Sequence, residues 1–312
     1  MILLEILLLA AGFIMLIKGA DWFVDGCSHF ASTLGVSQMV IGLTIVAMGT
    51  SMPEAAVSIT ASIKNTADIA VGNIIGSNIL NILIILGLTS LLIPIKVEEA
   101  FRQKDIPIMG AVTIVLLITG LTGNTITRIE GILYLIIFAG YMSYLFRTAQ
   151  ADRSQNEEKA ITWKSVLKDL LVIGLGGGVV VLGSNITVDA ATEIAKMIGM
   201  SEKFIGLTIV ALGTSLPELV TSLTAAHKGN ADMAIGNIVG SNIFNILFVL
   251  GISSVIVPVL FPQNFLVDGI IAIIAVLIFW IYALLFKRLD RKSGIIMLVT
   301  YAGYFAYLVI KS

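Results

Sequence analysis

The chain has 312 residues, of which 57% are hydrophobic and only 12% are charged, and its mean hydropathy is +1.01. Soluble domains carry about 25% charged residues, so the composition predicts an integral membrane protein. The net charge of −1 gives no basic field that would attract nucleic acid. One cysteine and two histidines exclude a disulfide framework and disfavour a zinc or haem centre, so we expect no cofactor.

Long apolar stretches follow one another along the chain. The first begins at residue 2 and lacks the basic start and the cleavage site of a signal peptide, so it predicts a membrane helix. A helix needs about 20 apolar residues to cross the hydrocarbon core. The polar run at 148–164 is a linker between five predicted helices in 1–147 and five in 165–312. The ten stretches lie near 2–24, 38–62, 70–93, 106–123, 128–146, 165–188, 203–226, 234–257, 267–286 and 293–310.

A segment of 47 residues occurs twice, at 41–87 and 205–251, without a gap and at an offset of 164 residues. The two copies are identical at 31 of 47 positions. An odd number of helices in each half forces the second half to enter the membrane upside down, as in many secondary transporters. The sequence therefore predicts an all-α membrane protein of two inverted five-helix repeats, with a site near the midplane where the repeats meet.

Basic residues are distributed unevenly among the predicted loops. If the N-terminus lies outside, thirteen lysines and arginines fall in cytoplasmic loops and five in outer loops. Cytoplasmic loops of membrane proteins carry the excess of basic residues. We therefore expect a multi-pass protein of the cell membrane, embedded in its lipid bilayer, with both termini extracellular and the linker cytoplasmic.

Each copy of the repeat places one carboxylate in an apolar stretch, directly after a proline: Glu54 in G-T-S-M-P-E and Glu218 in G-T-S-L-P-E. An ionisable group at membrane depth is costly and indicates function. The proline, and the glycine ahead of it, interrupt a helix, so we expect carbonyls in 47–50 and 211–214 to lose their helical partners. A hard cation can satisfy such oxygens, because calcium takes about six to eight oxygen ligands.

Hydroxyl and amide side chains recur at helical spacing around each carboxylate. Thr50 and Ser51 lie four and three residues before Glu54, which places them on the same helix face. The partner stretch G-S-N-I-L-N places Ser77 and Asn81 four residues apart. All are oxygen donors, which favours sodium, calcium or magnesium over zinc or copper, and magnesium least because it keeps its waters. The second copy repeats the set as Thr214, Ser215, Ser241 and Asn245.

At these motifs the chain resembles the cation/calcium exchanger superfamily, in its archaeal and bacterial sodium/calcium exchanger branch. G-T-S-x-P-E and G-S-N-I-x-N-I, each present twice, are similar to the two alpha-repeat signatures of that family. The resemblance implies two inverted five-helix repeats that exchange about three Na⁺ for each Ca²⁺ by alternating access. It also implies that the first and sixth helices form a mobile gate.

The resemblance assigns roles to individual residues. Glu54 and Glu218 would ligate calcium, and Asn81 and Asn245 would line the central position. Potassium-dependent relatives, and some potassium-independent prokaryotic ones, carry Asp where this chain has Asn245. With Asn at both central positions the charge of the site stays at −2, so we expect exchange without a potassium requirement. The hydroxyls or carbonyls of Thr50 and Thr214 would add further oxygens to the calcium site. The outlying sodium sites would use Ala47, Ser51, Ser77, Ala211, Ser215 and Ser241.

Other interpretations stay open from the sequence. The carboxylates could be buried structural hydrogen-bond acceptors, the hydroxyls could bond back to a carbonyl four residues earlier, and the asparagines could simply join helices. For the whole chain, the alternatives are a proton/calcium antiporter on the same fold and a cation channel. An intramembrane hydrolase would need a base beside Ser51 or Ser215, and the sequence offers none nearby. We expect a transporter rather than an enzyme, working as a monomer.

Overall fold

The computed structural model describes residues 2–64, 67–155, 163–200, 211–263 and 265–311. Eight helices in these residues are long and apolar enough to cross a membrane. A ninth span is formed by two helices, Gln38–Thr50 and Met52–Ile63, which are bent by 50° at the break between them. The predicted span at 203–226 begins in residues outside the described ones, so the described chain accounts for up to nine of the ten predicted spans.

The first half runs from the N-terminus to the predicted linker. Three of its segments are π-helical, with the wider turn that often marks functional sites. Its helices are α1 (Ile2–Leu34), α2 (Gln38–Ile41), π1 (Gly42–Val46), α3 (Ala47–Thr50), α4 (Met52–Ile63), α5 (Ala67–Leu80), π2 (Asn81–Leu86), α6 (Gly87–Leu92), π3 (Phe101–Asp105), α7 (Ile106–Leu121) and α8 (Arg128–Gln155).

The second half repeats this order where it is described. Its π-helical segment begins at the same motif position as π2, since Asn245 corresponds to Asn81. Its helices are α9 (Trp163–Met197), α10 (Ala211–Thr214), α11 (Leu216–His227), α12 (Ala231–Phe244), π4 (Asn245–Leu250), α13 (Gly251–Ile256), α14 (Phe265–Phe286) and α15 (Arg291–Lys311).

The first helix of each half is longer than its apolar stretch. Polar residues end the apolar run of α1 near residue 24, but the helix continues to Leu34. It stops ahead of Gly35, whose φ of +69° is a left-handed conformation that glycine adopts without strain. The corresponding Gly199, with φ +84°, follows the end of α9. The predicted bounds of 2–24 and 165–188 are therefore too short, because hydropathy reports the apolar run and not the end of the helix.

Two short antiparallel pairings join the loops of the two halves. β1 (Ile95–Lys96) pairs with β4 (Arg288–Leu289), and β2 (Thr125–Ile126) pairs with β3 (Val259–Leu260). β1 precedes α7 and β2 follows it, so the pairings lie at opposite ends of the bundle. We use "linker face" for the end that carries β1, β4 and the close of α8, and "opposite face" for the end that carries β2 and β3.

α1 and α9 pack against each other along a line of glycines. A Cβ built on Gly176 would lie 2.5 Å from the backbone nitrogen of Phe23, and one built on Gly183 would lie 2.8 Å from that of Leu16. Cβ atoms built on Gly12 and Gly19 of α1 would lie 2.9 and 2.8 Å from the backbone nitrogens of Thr187 and Val180 on α9. Glycines allow this backbone approach between membrane helices. The two helices that the resemblance assigns to the gate therefore form one closely packed pair.

The centre of the bundle is formed by two continuous helical units, 69–92 and 231–256. Within their most apolar windows 72% and 83% of residues are buried, against at most 39% in the other single spans of the described chain. The remaining helices surround this pair and expose apolar side chains outward, as membrane helices do in lipid. The repeated G-S-N-I-x-N motif thus lies on the two most buried spans.

Candidate functional site

Both proline motifs break their helix. Ser51 separates α3 from α4 with φ −83° and ψ 9°, and Ser215 separates α10 from α11 with φ −91° and ψ 5°. Pro53 and Pro217 follow in the first turn of the second helix, where a missing N–H leaves no bond unmade. The predicted interruption is confirmed in both repeats, and it places the residue after each proline at a helix N-terminus.

The expectation that the Ala47 carbonyl loses its helical partner is wrong. Its oxygen accepts the backbone N–H of Ser51 at 3.1 Å. It also accepts the hydroxyls of Thr50 at 3.4 Å and of Ser241 at 3.3 Å. The break begins after α3, so this carbonyl keeps its place in the last turn and contacts the other repeat through Ser241. The corresponding Ala211 begins α10, and its side chain lies outside the described part of the chain.

Two carboxylates lie buried at the centre. Glu54 in the first turn of α4 and Glu218 in the first turn of α11 are each 1% exposed. They lie close enough for the charge of one to repel the other. No ion pair joins either carboxylate to a basic residue of the described chain, and a buried charge without a partner is strongly unfavourable. A bound cation would remove that penalty.

Each carboxylate is faced by the hydroxyls of the other repeat. Ser51 donates its hydroxyl to Oε1 of Glu218 at 2.8 Å. In the mirrored arrangement Thr214 and Ser215 lie beside Glu54. There, however, neither oxygen of Glu54 accepts a hydrogen bond of ordinary geometry from a described residue, and both hydroxyls are also unpartnered. The two motifs therefore cross, and the Glu54 side of the crossing leaves oxygens available to a ligand.

Four asparagines link the two central spans. Asn78 donates to the backbone carbonyl of Asn242 at 3.2 Å, and Asn242 donates to that of Asn78 at 3.2 Å. Asn81 donates to Oδ1 of Asn242 at 2.9 Å, and Asn245 donates to Oδ1 of Asn78 at 3.1 Å. All four are at most 4% exposed. Asn81 and Asn245 were predicted at the site; Asn78 and Asn242 were not.

A second pair of asparagines was also missed. Asn73 donates to Ser58 at 2.9 Å, and the corresponding Asn237 donates to Ser222 at 2.9 Å. Oδ1 of Asn237 in turn accepts the hydroxyl of Thr50 at 3.0 Å. The signal was available in the sequence, because G-N-I-x-G-S-N-I is unchanged in both copies. An uncharged asparagine in an apolar helix is less conspicuous than a carboxylate, so the prediction did not include this pair.

The hydrogen bonds of the predicted residues fall in two groups, the crossed proline motifs and the asparagine network of the central spans, and bonds such as that of Ser241 to Ala47 join the proline motifs to the central spans. Seven buried oxygens of these groups have no hydrogen-bond partner in the described chain, and they come from both repeats. No cluster of three or more His, Cys, Asp or Glu occurs among the described residues, and the unpartnered oxygens beyond the two carboxylates belong to neutral side chains. This set suits a hard cation. The seven are both carboxylate oxygens of Glu54, Oε2 of Glu218, Oδ1 of Asn81 and Asn245, and the hydroxyls of Thr214 and Ser215. Thr50, Ser51, Ser77 and Ser241 are also buried.

A cavity of about 530 Å³ leads to the crossed proline motifs from the opposite face. It lies between the start of α4 and the second half of α9, and Thr214 is among its lining residues. Met52 and Val57 of α4 border it with 58% and 40% of their surface exposed. Asn185 and Asp189 of α9 line its polar side. The site is thus approached through a wide space on this side.

The corresponding space on the linker face is filled. Leu216, which corresponds to Met52, packs with Val220 against Leu16 and Ala20 of α1. Thr221, which corresponds to Val57, is fully buried. The two halves therefore differ in packing despite their similar sequences. The structure is open toward the opposite face and closed toward the linker face.

An ion-pair cluster ties the closed side together. Nζ of Lys228, just after α11, lies 2.8 Å from Oδ1 of Asp25 and 3.3 Å from Oδ1 of Asp21 on α1. It also donates to the backbone carbonyl of Asp21 at 3.0 Å. Lys64, the corresponding lysine of the first repeat, makes no ion pair with a described residue. The cluster thus marks one access side only.

Comparison with known proteins agrees with the motifs and the geometry. The family model described as sodium/calcium exchanger protein matches residues 4–147 and 168–310. CaxA of Alkalimonas amylolytica is 40% identical over 315 residues, which cover 96% of this chain and 97% of CaxA. The sodium/calcium exchanger MaX1 of Methanosarcina acetivorans is 32% identical over 350 residues, which cover 99% of both chains.

A solved structure is similar over nearly the whole chain. The sodium-calcium exchanger NCX_Mj, soaked with Na⁺, has a TM-score of 0.86 and 34% sequence identity, with 98% of this chain and 99% of that chain covered. The same protein was also soaked with Na⁺ and Ca²⁺ together, and that structure has a TM-score of 0.85. At this identity the similarity extends beyond the fold.

Proposed function

The chain belongs to the sodium/calcium exchanger family, and from that premise we propose that it is an antiporter that exchanges Na⁺ for Ca²⁺ across the membrane. The observation that carries the proposal is the pair of buried carboxylates, Glu54 and Glu218, without a basic partner in the described chain. Two such charges need cations, and the oxygens around them suit calcium or sodium. It is a transporter and not an enzyme.

Competition for the carboxylates gives the exchange its mechanism. One Ca²⁺ balances the two charges, and several Na⁺ can do the same at the central and outlying oxygens. We assign the central calcium site to Glu54, Glu218, Thr50 and Thr214, with Asn81 and Asn245 beside it. The outlying sodium sites use the Ala47, Ser51, Ser77, Ala211, Ser215 and Ser241 oxygens. An empty site leaves two carboxylates repelling each other at low dielectric, which hinders switching without cargo and enforces exchange.

The finer features of the proposal follow from the repeat. We assign 1–147 and 165–312 to two inverted five-helix repeats joined by the linker at 148–164, with ten spans and both termini outside. The loop pairings support this arrangement, since each joins loops that it places on one side of the membrane. We further assign an exchange of about three Na⁺ per Ca²⁺ by alternating access. We assign no potassium requirement, because Asn245 adds no charge to the site. We also propose that the protein functions as a monomer.

Uptake of ⁴⁵Ca²⁺ into proteoliposomes under imposed Na⁺, K⁺ or H⁺ gradients tests the proposal. We expect uptake driven by an outward Na⁺ gradient and unchanged by K⁺. Glu54→Gln and Glu218→Gln should each abolish it, because the neutral site no longer requires a cation. Uptake driven by H⁺ instead of Na⁺ would favour the proton/calcium antiporter. Large unitary currents without counter-transport would favour a channel, and full transport by both variants would exclude the assigned site.

A further inference from the structure

We propose that Asn78 and Asn242 are positioning residues, each of which holds the ligand asparagine of the other repeat so that its amide oxygen faces the cation. The inference rests on the proposed function, because it concerns the same central site. It assigns a role to two residues that are not themselves cation ligands. Asn78 acts on Asn245, and Asn242 acts on Asn81.

The orientation of the Asn78 amide is fixed by its contacts. Its Nδ2 lies 3.2 Å from the backbone carbonyl oxygen of Asn242, and only the NH₂ end of an amide can donate to a carbonyl. Its Oδ1 must therefore point away, where it accepts Nδ2 of Asn245 at 3.1 Å. The mirrored bonds of Asn242 to the Asn78 carbonyl and from Asn81 fix the other amide in the same way.

The ligand asparagines are oriented as a consequence. Because the NH₂ end of Asn245 is bound to Asn78, its oxygen occupies the other end of the amide. That oxygen is buried and has no partner in the described chain, and the same holds for the oxygen of Asn81. Buried amide oxygens are normally hydrogen-bonded, so these two are kept for a ligand. An amide turned the other way would present two N–H donors to a cation and repel it.

The arrangement builds the central site across the repeats. Asn81 and Asn245 belong to the motif that supplies the ligand, but their orientation depends on the motif of the opposite half. A purely structural role as interhelical glue would also explain the bonds between Asn78 and Asn242. Such a role would not explain why Oδ1 of Asn78 and of Asn242 each accept a hydrogen bond from Asn245 and Asn81, whose own Oδ1 atoms have no partner in the described chain.

A double-mutant cycle separates positioning from glue. Equilibrium ⁴⁵Ca²⁺ binding is measured on purified protein in detergent for the wild type, Asn78→Ala, Asn245→Ala and the double variant. Loss of one orienting hydrogen bond should weaken binding about three- to tenfold in Asn78→Ala. In the Asn245→Ala background, Asn78→Ala should weaken Ca²⁺ binding by less than a further factor of about two, because the effects of coupled residues are not additive.

The matched control combines Asn78→Ala with Asn81→Ala. Asn78 does not orient Asn81, so there the two losses should multiply. The inference would be overturned if Asn78→Ala weakened Ca²⁺ binding equally in the Asn245→Ala and Asn81→Ala backgrounds. It would also be overturned if Asn78→Ala lowered the melting temperature and left the Ca²⁺ affinity unchanged. The mirror cycle combines Asn242→Ala with Asn81→Ala and is run in parallel, so that a result is obtained even where Asn78→Ala gives no folded protein. Additive losses of Ca²⁺ affinity in that cycle would also overturn the inference.

The binding assay also separates this inference from the proposed function. It uses no ion gradient, so it does not depend on which ion drives transport. If the cycles show the expected coupling but the wild type shows no Na⁺-driven uptake of Ca²⁺, the proposed function is refuted and the positioning role is supported. If the wild type exchanges Ca²⁺ for Na⁺ but the losses in Ca²⁺ affinity are additive in both cycles, the proposed function is supported and the positioning role is refuted.

Discussion

Replacing Lys228 by methionine should release the closed side of the protein. Methionine keeps much of the length of the side chain but removes the charge that holds Asp21 and Asp25 of α1 against the end of α11. The mirrored cluster on the opposite face would use Lys64 with Asp189, but Asn185 stands where the first repeat has Asp21. The linker face therefore has the stronger cluster, and its loss should shift the protein toward the state open at the linker face.

The size of the shift follows from exposure. The side chain of Lys228 is 25% exposed, that of Asp21 36% and that of Asp25 67%, so water screens both pairs. Ion pairs of this kind contribute about 0.2–1 kcal/mol each, and the hydrogen bond to the Asp21 carbonyl contributes about 0.5–1.5 kcal/mol. Because water screens the pairs, the lower half of each range applies, and the resulting total of about 1–2 kcal/mol corresponds to a roughly 5- to 30-fold change in the access equilibrium.

Thiol labelling measures this equilibrium directly. The only native cysteine, Cys27, is buried and is replaced by serine. A cysteine at Val220 then reports the closed side, and one at the corresponding Ala56 reports the open cavity. Lys228→Met should speed labelling at 220 by about 5- to 30-fold and slow it at 56.

The control comes from the repeat itself. Lys64→Met removes the corresponding lysine, which makes no ion pair with a described residue in this state, so labelling at Val220 should not become faster. Unchanged labelling in Lys228→Met, or an equal increase in Lys64→Met, would refute the reasoning. High salt should reproduce part of the effect of Lys228→Met, because it screens exposed pairs.

Three further predictions test other parts of the structure. Ser51→Ala removes the donor to Glu218 and should weaken Ca²⁺ binding about two- to tenfold, measured by ⁴⁵Ca²⁺ titration. Gly176→Ala places a methyl group 2.5 Å from the backbone of Phe23 and should destabilise the protein by about 1–3 kcal/mol in melting experiments, whereas Gly174→Ala, which meets no atom within 4 Å, should not. Asp290→Ala removes the carboxylate that accepts the backbone N–H groups opening α15 and should cost about 1 kcal/mol at neutral pH. The pKa of Asp290 is lowered from 3.8, first by the hydroxyl of Tyr282 and then by those N–H groups. The stabilisation by Asp290 is therefore present above about pH 4 and is lost as the pH falls through the lowered pKa. The melting curves of the wild type and of Asp290→Ala should accordingly converge in acid.

The central carboxylates and the helix breaks could be predicted from the sequence because their causes are local. A proline acts on its own turn, and a carboxylate in an apolar stretch is conspicuous without knowledge of any neighbour. The same local reasoning failed at Ala47. Its carbonyl lies before the break, and nothing within the motif indicates that the turn through Ser51 keeps its hydrogen bond.

The asparagine contacts could not be derived in this way. Asn78 contacts Asn242 and Asn245 on another helix, and the pairing depends on how the two repeats are rotated against each other. Spacing within one helix gives the face on which Asn78 lies but not its partner. The closed linker face is similarly beyond sequence reasoning, since Leu216 and Met52 occupy equivalent positions and differ only in what packs on them.

The crossing of the two motifs gives a physical reason for the pattern of identity within the chain. At the centre the halves meet as the two sides of a symmetric interface do, because Asn78 bonds to Asn242 and Asn242 bonds to Asn78. In such an interface one surface must fit itself, so a change in either copy disturbs both sides. At the two faces the halves differ in packing, because the linker face is closed and the opposite face holds a cavity. Asp21 and Asn185 can therefore differ, whereas the carboxylate, hydroxyl and asparagine positions of the candidate site carry the same residue types in both repeats.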